Sequence, residues 1–169
     1  VSSSAASDVY MRQSQQIVRL TSQELLDGMR GARLLIVNEY EFALIRSKTE
    51  LTEVDLLALP ENTIITRGEE GSTIYADREK LTIPAIPPET LAEPTGVGDA
   101  YRAGVIKGML RGYPWPVVGR IAALAATYVL EQYGTQNHRY TLPEFAARYR
   151  RLLGDAPELD DLVRPRPAG

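Results

Sequence analysis

Hydrophobic positions in this chain change rhythm repeatedly, and each change marks an element. Leu34-Leu-Ile-Val37 is a short unbroken apolar run, the pattern of a strand buried on both faces. Thr63-Ile-Ile-Thr66 is a second, β-branched strand that ends at Arg67-Gly68. Ser22 is placed to cap a helix over 23–30, which Gly31 ends. Helical spacing returns from Asn38-Glu39-Tyr40-Glu41 through Ile45, and again from Glu50 to Leu59 until Pro60 stops it. Ser72-Thr-Ile-Tyr75 and Leu81-Thr-Ile83 then alternate like a small antiparallel excursion, turned at Asp77-Arg78-Glu79.

The remainder has a different texture. Pro84 to Pro94 is a Pro-rich connector, and Thr95-Gly96-Val97-Gly98 leads into a helix from Asp99 to about Arg111. A long Ala-rich helix follows from Trp115 to about Tyr133, then an amphipathic one from Leu142 to Leu153. Strands alternating with helices predict an α/β sandwich with a largely parallel central sheet. Residues 1–15, rich in Ser and Gln, read as a mobile arm, residues 16–155 as the domain, and residues 156–169 as a frayed tail.

Composition narrows the function. The 169 residues are 44% hydrophobic, ordinary for one globular domain. With 19 Lys+Arg against 22 Asp+Glu the net charge is −3, which argues against a nucleic-acid binder. Zero cysteines exclude a disulfide scaffold, a thiolate metal site and a Cys nucleophile. The single histidine, His138, excludes a site built on two imidazoles and stands in a loop of surface character. No apolar run reaches membrane-spanning length, and the N-terminus lacks the order of a signal peptide. The expectation is a soluble, cytoplasmic protein, or a piece of one, without nucleic-acid or membrane partners.

Three loops carry candidate chemistry. In Thr95-Gly96-Val97-Gly98-Asp99, two glycines just ahead of a helix let backbone N–H groups converge where the helix dipole favours an anion. Asp99 beside a bound phosphate would repel it as a ligand, but suits a base that deprotonates an attacking hydroxyl. The same pattern also starts ordinary helices, with Asp complementing the dipole. It is neither a dinucleotide fingerprint, since Tyr101 stands where a third glycine belongs, nor a Gly-Lys-Ser/Thr phosphate loop. Asn38-x-x-Glu41 follows a strand, where an amide and a carboxylate can order Mg²⁺ waters around a nucleotide; taken alone, it reads first as a capping box. Thr66-Arg67-Gly68-Glu69-Glu70-Gly71-Ser72 can clear space for a ribose or phosphate, or simply turn the chain.

In order and spacing these motifs resemble the PfkB-type carbohydrate kinases of the ribokinase-like superfamily. Asn38-x-x-Glu41, Thr66-Arg-Gly-x-x-Gly-Ser72 and Pro94-Thr-Gly-Val-Gly-Asp-Ala-Tyr-Arg-Ala-Gly104 carry the likeness, which runs from about Gln15 to Tyr149. The last motif and Tyr133-Gly-Thr-Gln136 are most similar to the adenosine and nucleoside kinase branch. The resemblance implies an ATP-dependent transfer of the γ-phosphoryl group to a hydroxyl of a nucleoside or sugar. Asp99 would be the base, and Gly96, Val97 and Gly98 the anion hole. Asn38 and Glu41 would organise Mg²⁺ and phosphates, with Glu41 on the metal side. Thr66, Arg67, Gly68 and Gly71 would line the ATP, and Ala122, Ala123 and Ala126 would flank the adenine. Glu93 stands where the family commonly has Asp, a position tied to monovalent cations in some members. The family is considerably longer, and its acceptor-binding half has no counterpart here. The alternative is therefore a nucleotide-binding fragment without activity. A sheet lacking strands predicts a homodimer paired through its open edge.

Overall fold

A computed structural model describes residues 14–92, 95–131 and 140–164. Most of the expected arm, Glu93, Pro94, Tyr133 to Gln136, His138 and the last five residues lie outside the described ones. The chain divides into two compact units, residues 1–85 and 86–169.

In the first unit, helices α1 (Ser14–Arg19) and α2 (Ser22–Met29) precede strand β1 (Leu35–Asn38). Helices α3 (Glu39–Thr49) and α4 (Glu53–Leu57) lead to β2 (Thr63–Thr66), a 3-10 turn (Gly68–Glu70), β3 (Ser72–Ala76) and β4 (Glu79–Ile83). The cap of α2 is Thr21, not Ser22. Only Thr21 has a Glu three residues on, and Thr21 and Glu24 form a reciprocal capping box. Likewise α4 starts at Glu53 rather than Glu50, because Glu50 adopts the left-handed conformation (φ 56°) that ends α3.

The strands order as β1-β2-β3-β4. β1 and β2 pair in parallel, and the other two pairings are antiparallel, so the described sheet is mixed where the sequence predicts a largely parallel one. The five residues between β2 and β3 are too few for a parallel crossover. Between β3 and β4, Asp77 (φ 52°) and Arg78 (φ 64°) are both left-handed, as a two-residue hairpin turn requires. Ile17, Leu25, Met29, Leu35, Val37, Phe42, Ile45, Leu56 and Ile65 form one buried cluster between helices and sheet. Each such side chain contributes about 1.5–3 kcal/mol on burial. Lys48 on α3 donates to the carbonyls of Ile17, Val18 and Leu20 at 3.0, 2.6 and 2.6 Å and caps the end of α1.

The second unit holds α5 (Val97–Leu110), α6 (Trp115–Leu130), α7 (Leu142–Leu153) and α8 (Glu158–Val163). Gly104 and Gly108, one turn apart on α5, let α6 approach at backbone distance. A Cβ at Gly104 would lie 2.6 Å from Cα of Ala122, and one at Gly108 3.3 Å from Cα of Val118. The connector is tied to α6: Thr127 Oγ1 donates to Ile86 O at 2.9 Å, and Ala92 N to Leu130 O at 2.8 Å. Residues 158–163, expected to fray, are instead helical. Leu159 and Leu162, three apart, are buried, and Asp161 accepts from Tyr113 Oη (2.7 Å) and Arg111 Nη1 (2.9 Å). Among the described residues no helix is long and apolar enough to cross a membrane.

Candidate functional site

In the first unit, the parallel register sets Asn38 beside Thr66, at the carboxyl ends of β1 and β2. Ligands of open α/β sheets bind at such ends. Asn38 caps α3. Its Oδ1 accepts from Glu41 N at 2.7 Å, while Glu41 Oε2 accepts from Asn38 N at 2.9 Å. The motif thus has the capping-box geometry, and it holds Glu41 nearly buried, 2% exposed. Directly after each strand, Glu39 and Arg67 meet: Glu39 Oε1 lies 3.1 Å from Arg67 Nε. The pair is not aligned as a hydrogen bond, and among the described residues the buried Nε has no hydrogen-bond acceptor. Sequence alone does not reveal this contact, because it depends on the strand register.

The 66–72 loop is pinned by its backbone. Arg67 N donates to Gly71 O at 2.8 Å, and Gly71 N to Gly68 O at 3.1 Å. Gly71 has φ 92°, and a Cβ there would press on Ile83 O and lie 2.6 Å from Ala85 N. Its glycine is required by packing against the end of β4. Gly68 is also left-handed (φ 54°), and a Cβ there would meet no described atom within 4 Å.

In the second unit, Gly96 (φ 86°) is the N-cap of α5 and offers no side chain to its first amides. Among the described residues a Cβ at Gly98 would meet only Arg102 Nη1, at 3.8 Å, so none of them demands glycine there, and neither does the backbone. Asp99 in the first turn keeps its side chain 73% exposed while Oδ1 accepts from Arg102 Nη1 at 3.1 Å. The helix start thus presents backbone, open space and an exposed carboxylate together. On α6, Ala122 is packed against Gly104, so its small size serves the helix crossing; Ala123 and Ala126 are buried as well, at 8% and 9% exposure. A separate cleft of about 260 Å³, lined by Ala103, Ile121, Tyr140, Phe145 and Leu162 among others, includes none of the expected site residues.

Among the described residues, no group of three or more His, Cys, Asp or Glu side chains could hold a metal ion. Direct Mg²⁺ coordination by Glu41 does not fit either, since its Oε2 is engaged in the capping box and the side chain is nearly buried. Mg²⁺ in phosphate sites usually keeps several waters and takes most other ligands from the nucleotide.

This α/β architecture, with glycine-started α5 and the paired strand ends, is that of the ribokinase-like proteins. The structure of the Burkholderia thailandensis nucleoside kinase in complex with inosine matches at TM-score 0.82 and 33% identity, over 85% of this chain and 48% of that one. The Methanocaldococcus jannaschii nucleoside kinase structure matches at TM-score 0.77 and 30% identity, over 82% and 46%. The pfkB family carbohydrate kinase model matches residues 4–141, and the chain belongs to that family. In sequence it is 31% identical to the nucleoside kinase of M. jannaschii over 79% of this chain, and 35% identical to that of Methanothermobacter thermautotrophicus over 75%. It spans 44% and 40% of those two relatives, less than half of each.

Proposed function

We propose that this chain carries the nucleotide-binding part of an ATP-dependent kinase whose acceptor is a hydroxyl of a nucleoside or sugar. The observation that carries this reading is the start of α5, where an uncapped glycine N-terminus, the open position at Gly98 and the exposed carboxylate of Asp99 coincide. The acceptor oxygen would bond to the γ-phosphorus as the bond to the β–γ bridging oxygen breaks. Asp99 would take the hydroxyl proton, and ADP would leave. Backbone N–H groups of Gly96, Val97 and Gly98 would stabilise charge on the transferring group, in place before the reaction begins. Asn38, Thr66, Arg67, Gly68 and Gly71 would bound the nucleotide, and Ala123 would lie beside adenine. Mg²⁺ would arrive with the ATP phosphates, and Glu41 would reach it only through water. The inosine bound by the B. thailandensis relative makes a nucleoside the first acceptor to test.

A second reading, a nucleotide-binding module without turnover of its own, is favoured by the chain's span of less than half its curated relatives. In either case we propose a homodimer paired through the edge of β1. Calorimetric titration with ATP and Mg²⁺ tests what both readings share: saturable binding supports them, and none at millimolar ATP contradicts them. Phosphate transfer to inosine by this chain, with or without the remaining part of a nucleoside kinase, then separates them.

A further inference from the structure

We infer that Arg67 is an exchangeable clamp for the polyphosphate of the nucleotide, with Glu39 as the positioning residue that holds its place until phosphate replaces it. The inference rests on the nucleotide-binding reading and adds to it a residue, Glu39, and a ligand group. Among the described residues Arg67 has one charged partner, Glu39, and the contact is incomplete: 3.1 Å from Oε1 to Nε, without hydrogen-bond alignment. A buried donor left in that state retains a strong demand for an oxygen acceptor. Glu39 is 61% and Arg67 31% exposed, so water screens the pair and it is readily exchanged. A guanidinium fork matches a phosphate bidentately, and a polyphosphate brings more negative charge than one carboxylate. The loop beneath does not need to move, because Arg67 N and O are already bonded to Gly71 O and Glu70 N, at 2.8 and 3.1 Å. The pair also stands just beyond Asn38 and Thr66, at the ligand-facing end of parallel strands.

The test is calorimetry on the full chain with three probes: ATP, inorganic tripolyphosphate and adenosine. Arg67→Ala should weaken ATP and tripolyphosphate about 10–100-fold, the loss of a charge-assisted contact, and leave adenosine unchanged. Arg67→Lys, which keeps the charge and loses the fork, should fall between. Glu39→Gln should tighten ATP and tripolyphosphate about three- to tenfold, because a competing carboxylate beside the phosphates is gone. Unfolding midpoints of all variants accompany the titrations. Equal loss for adenosine, or a change in midpoint with no change in phosphate affinity, would make the pair structural and overturn the inference. Wild-type ATP binding unaffected by either residue overturns it while leaving the nucleotide reading intact. No binding of ATP by the wild type overturns both.

Discussion

Gly104 and Ala122 hold α5 and α6 at backbone contact: a Cβ on residue 104 would lie 2.6 Å from Cα and 3.1 Å from N of Ala122. Neither is a side-chain tip that can swing aside. Gly104→Ala should therefore lower stability by about 1–3 kcal/mol, the range for overpacking, although alanine is the better helix former. Chemical denaturation of the two proteins measures it, and equal midpoints would show that the helices can separate freely.

Gly98 invites the opposite outcome. With no described neighbour closer than Arg102 Nη1 at 3.8 Å and ordinary helical backbone, Gly98→Ala should leave stability unchanged or raise it by up to about 1 kcal/mol. ATP affinity should nevertheless fall, by about tenfold or more, if phosphate approaches the bare backbone there. Denaturation and ATP titration on the same variant check both halves. Gained stability with full affinity would detach Gly98 from the anion.

Glu131 and Arg148 tie α6 to α7 through two hydrogen bonds of 2.6 and 2.7 Å, with the side chains 13% and 10% exposed. The guanidinium hydrogen bonds hold the Glu131 carboxyl below its ordinary value of 4.5. A depressed carboxyl stabilises the fold fully above its unfolded value, and that contribution fades as pH falls through the lower folded value. Glu131→Gln should cost about 1.5–3 kcal/mol near neutrality and progressively less in acid below pH 4.5. Unfolding midpoints of both proteins from pH 7 to 3 give the comparison, and a pH-independent difference would contradict it.

The proposed dimer rests on β1. Among the described residues it pairs only with β2, while Leu35, Ile36 and Val37 are 3%, 3% and 1% exposed. An apolar strand with an open edge favours pairing between copies. Sedimentation equilibrium should give a dimer that dissociates on dilution, and a monomer at every concentration would refute the edge pairing.

The sequence was most legible where a local rule acts alone. Thr63–Thr66 is a strand at the residues expected, because a short β-branched run between turn signals has few alternatives. The α2 cap was legible only with a second rule, since Ser22 and Thr21 both cap well and Glu24 decides between them. Helix α1 and the helical tail carry too few apolar residues to show periodicity. Ile17, Leu159 and Leu162 become core only when the chain brings partners to them. At the candidate site, Asn38-x-x-Glu41 taken alone reads first as a capping box and only second as a ligand motif, and the structure shows the box. The sequence lets Gly71 be a turn or a ligand-clearing residue, whereas its neighbours in the fold are the backbone of Ile83 and Ala85, which lie too far along the chain for a local pattern to show. The Glu39–Arg67 contact required the parallel register of β1 and β2.

The most direct measurement concerns Asp99, in this chain supplied with the remaining part of a nucleoside kinase, since it spans 44% of the M. jannaschii relative. Asp99→Asn keeps shape and most hydrogen bonding but removes charge and proton acceptance. Phosphoryl transfer to a nucleoside should fall by about 10²–10⁴-fold, as for a lost general base. ATP affinity should hold or improve once a carboxylate beside the polyphosphate is gone. Unchanged turnover, with a midpoint lowered by the loss of about 1 kcal/mol of helix-start stabilisation, would instead make Asp99 a dipole partner and contradict the kinase chemistry assigned to it.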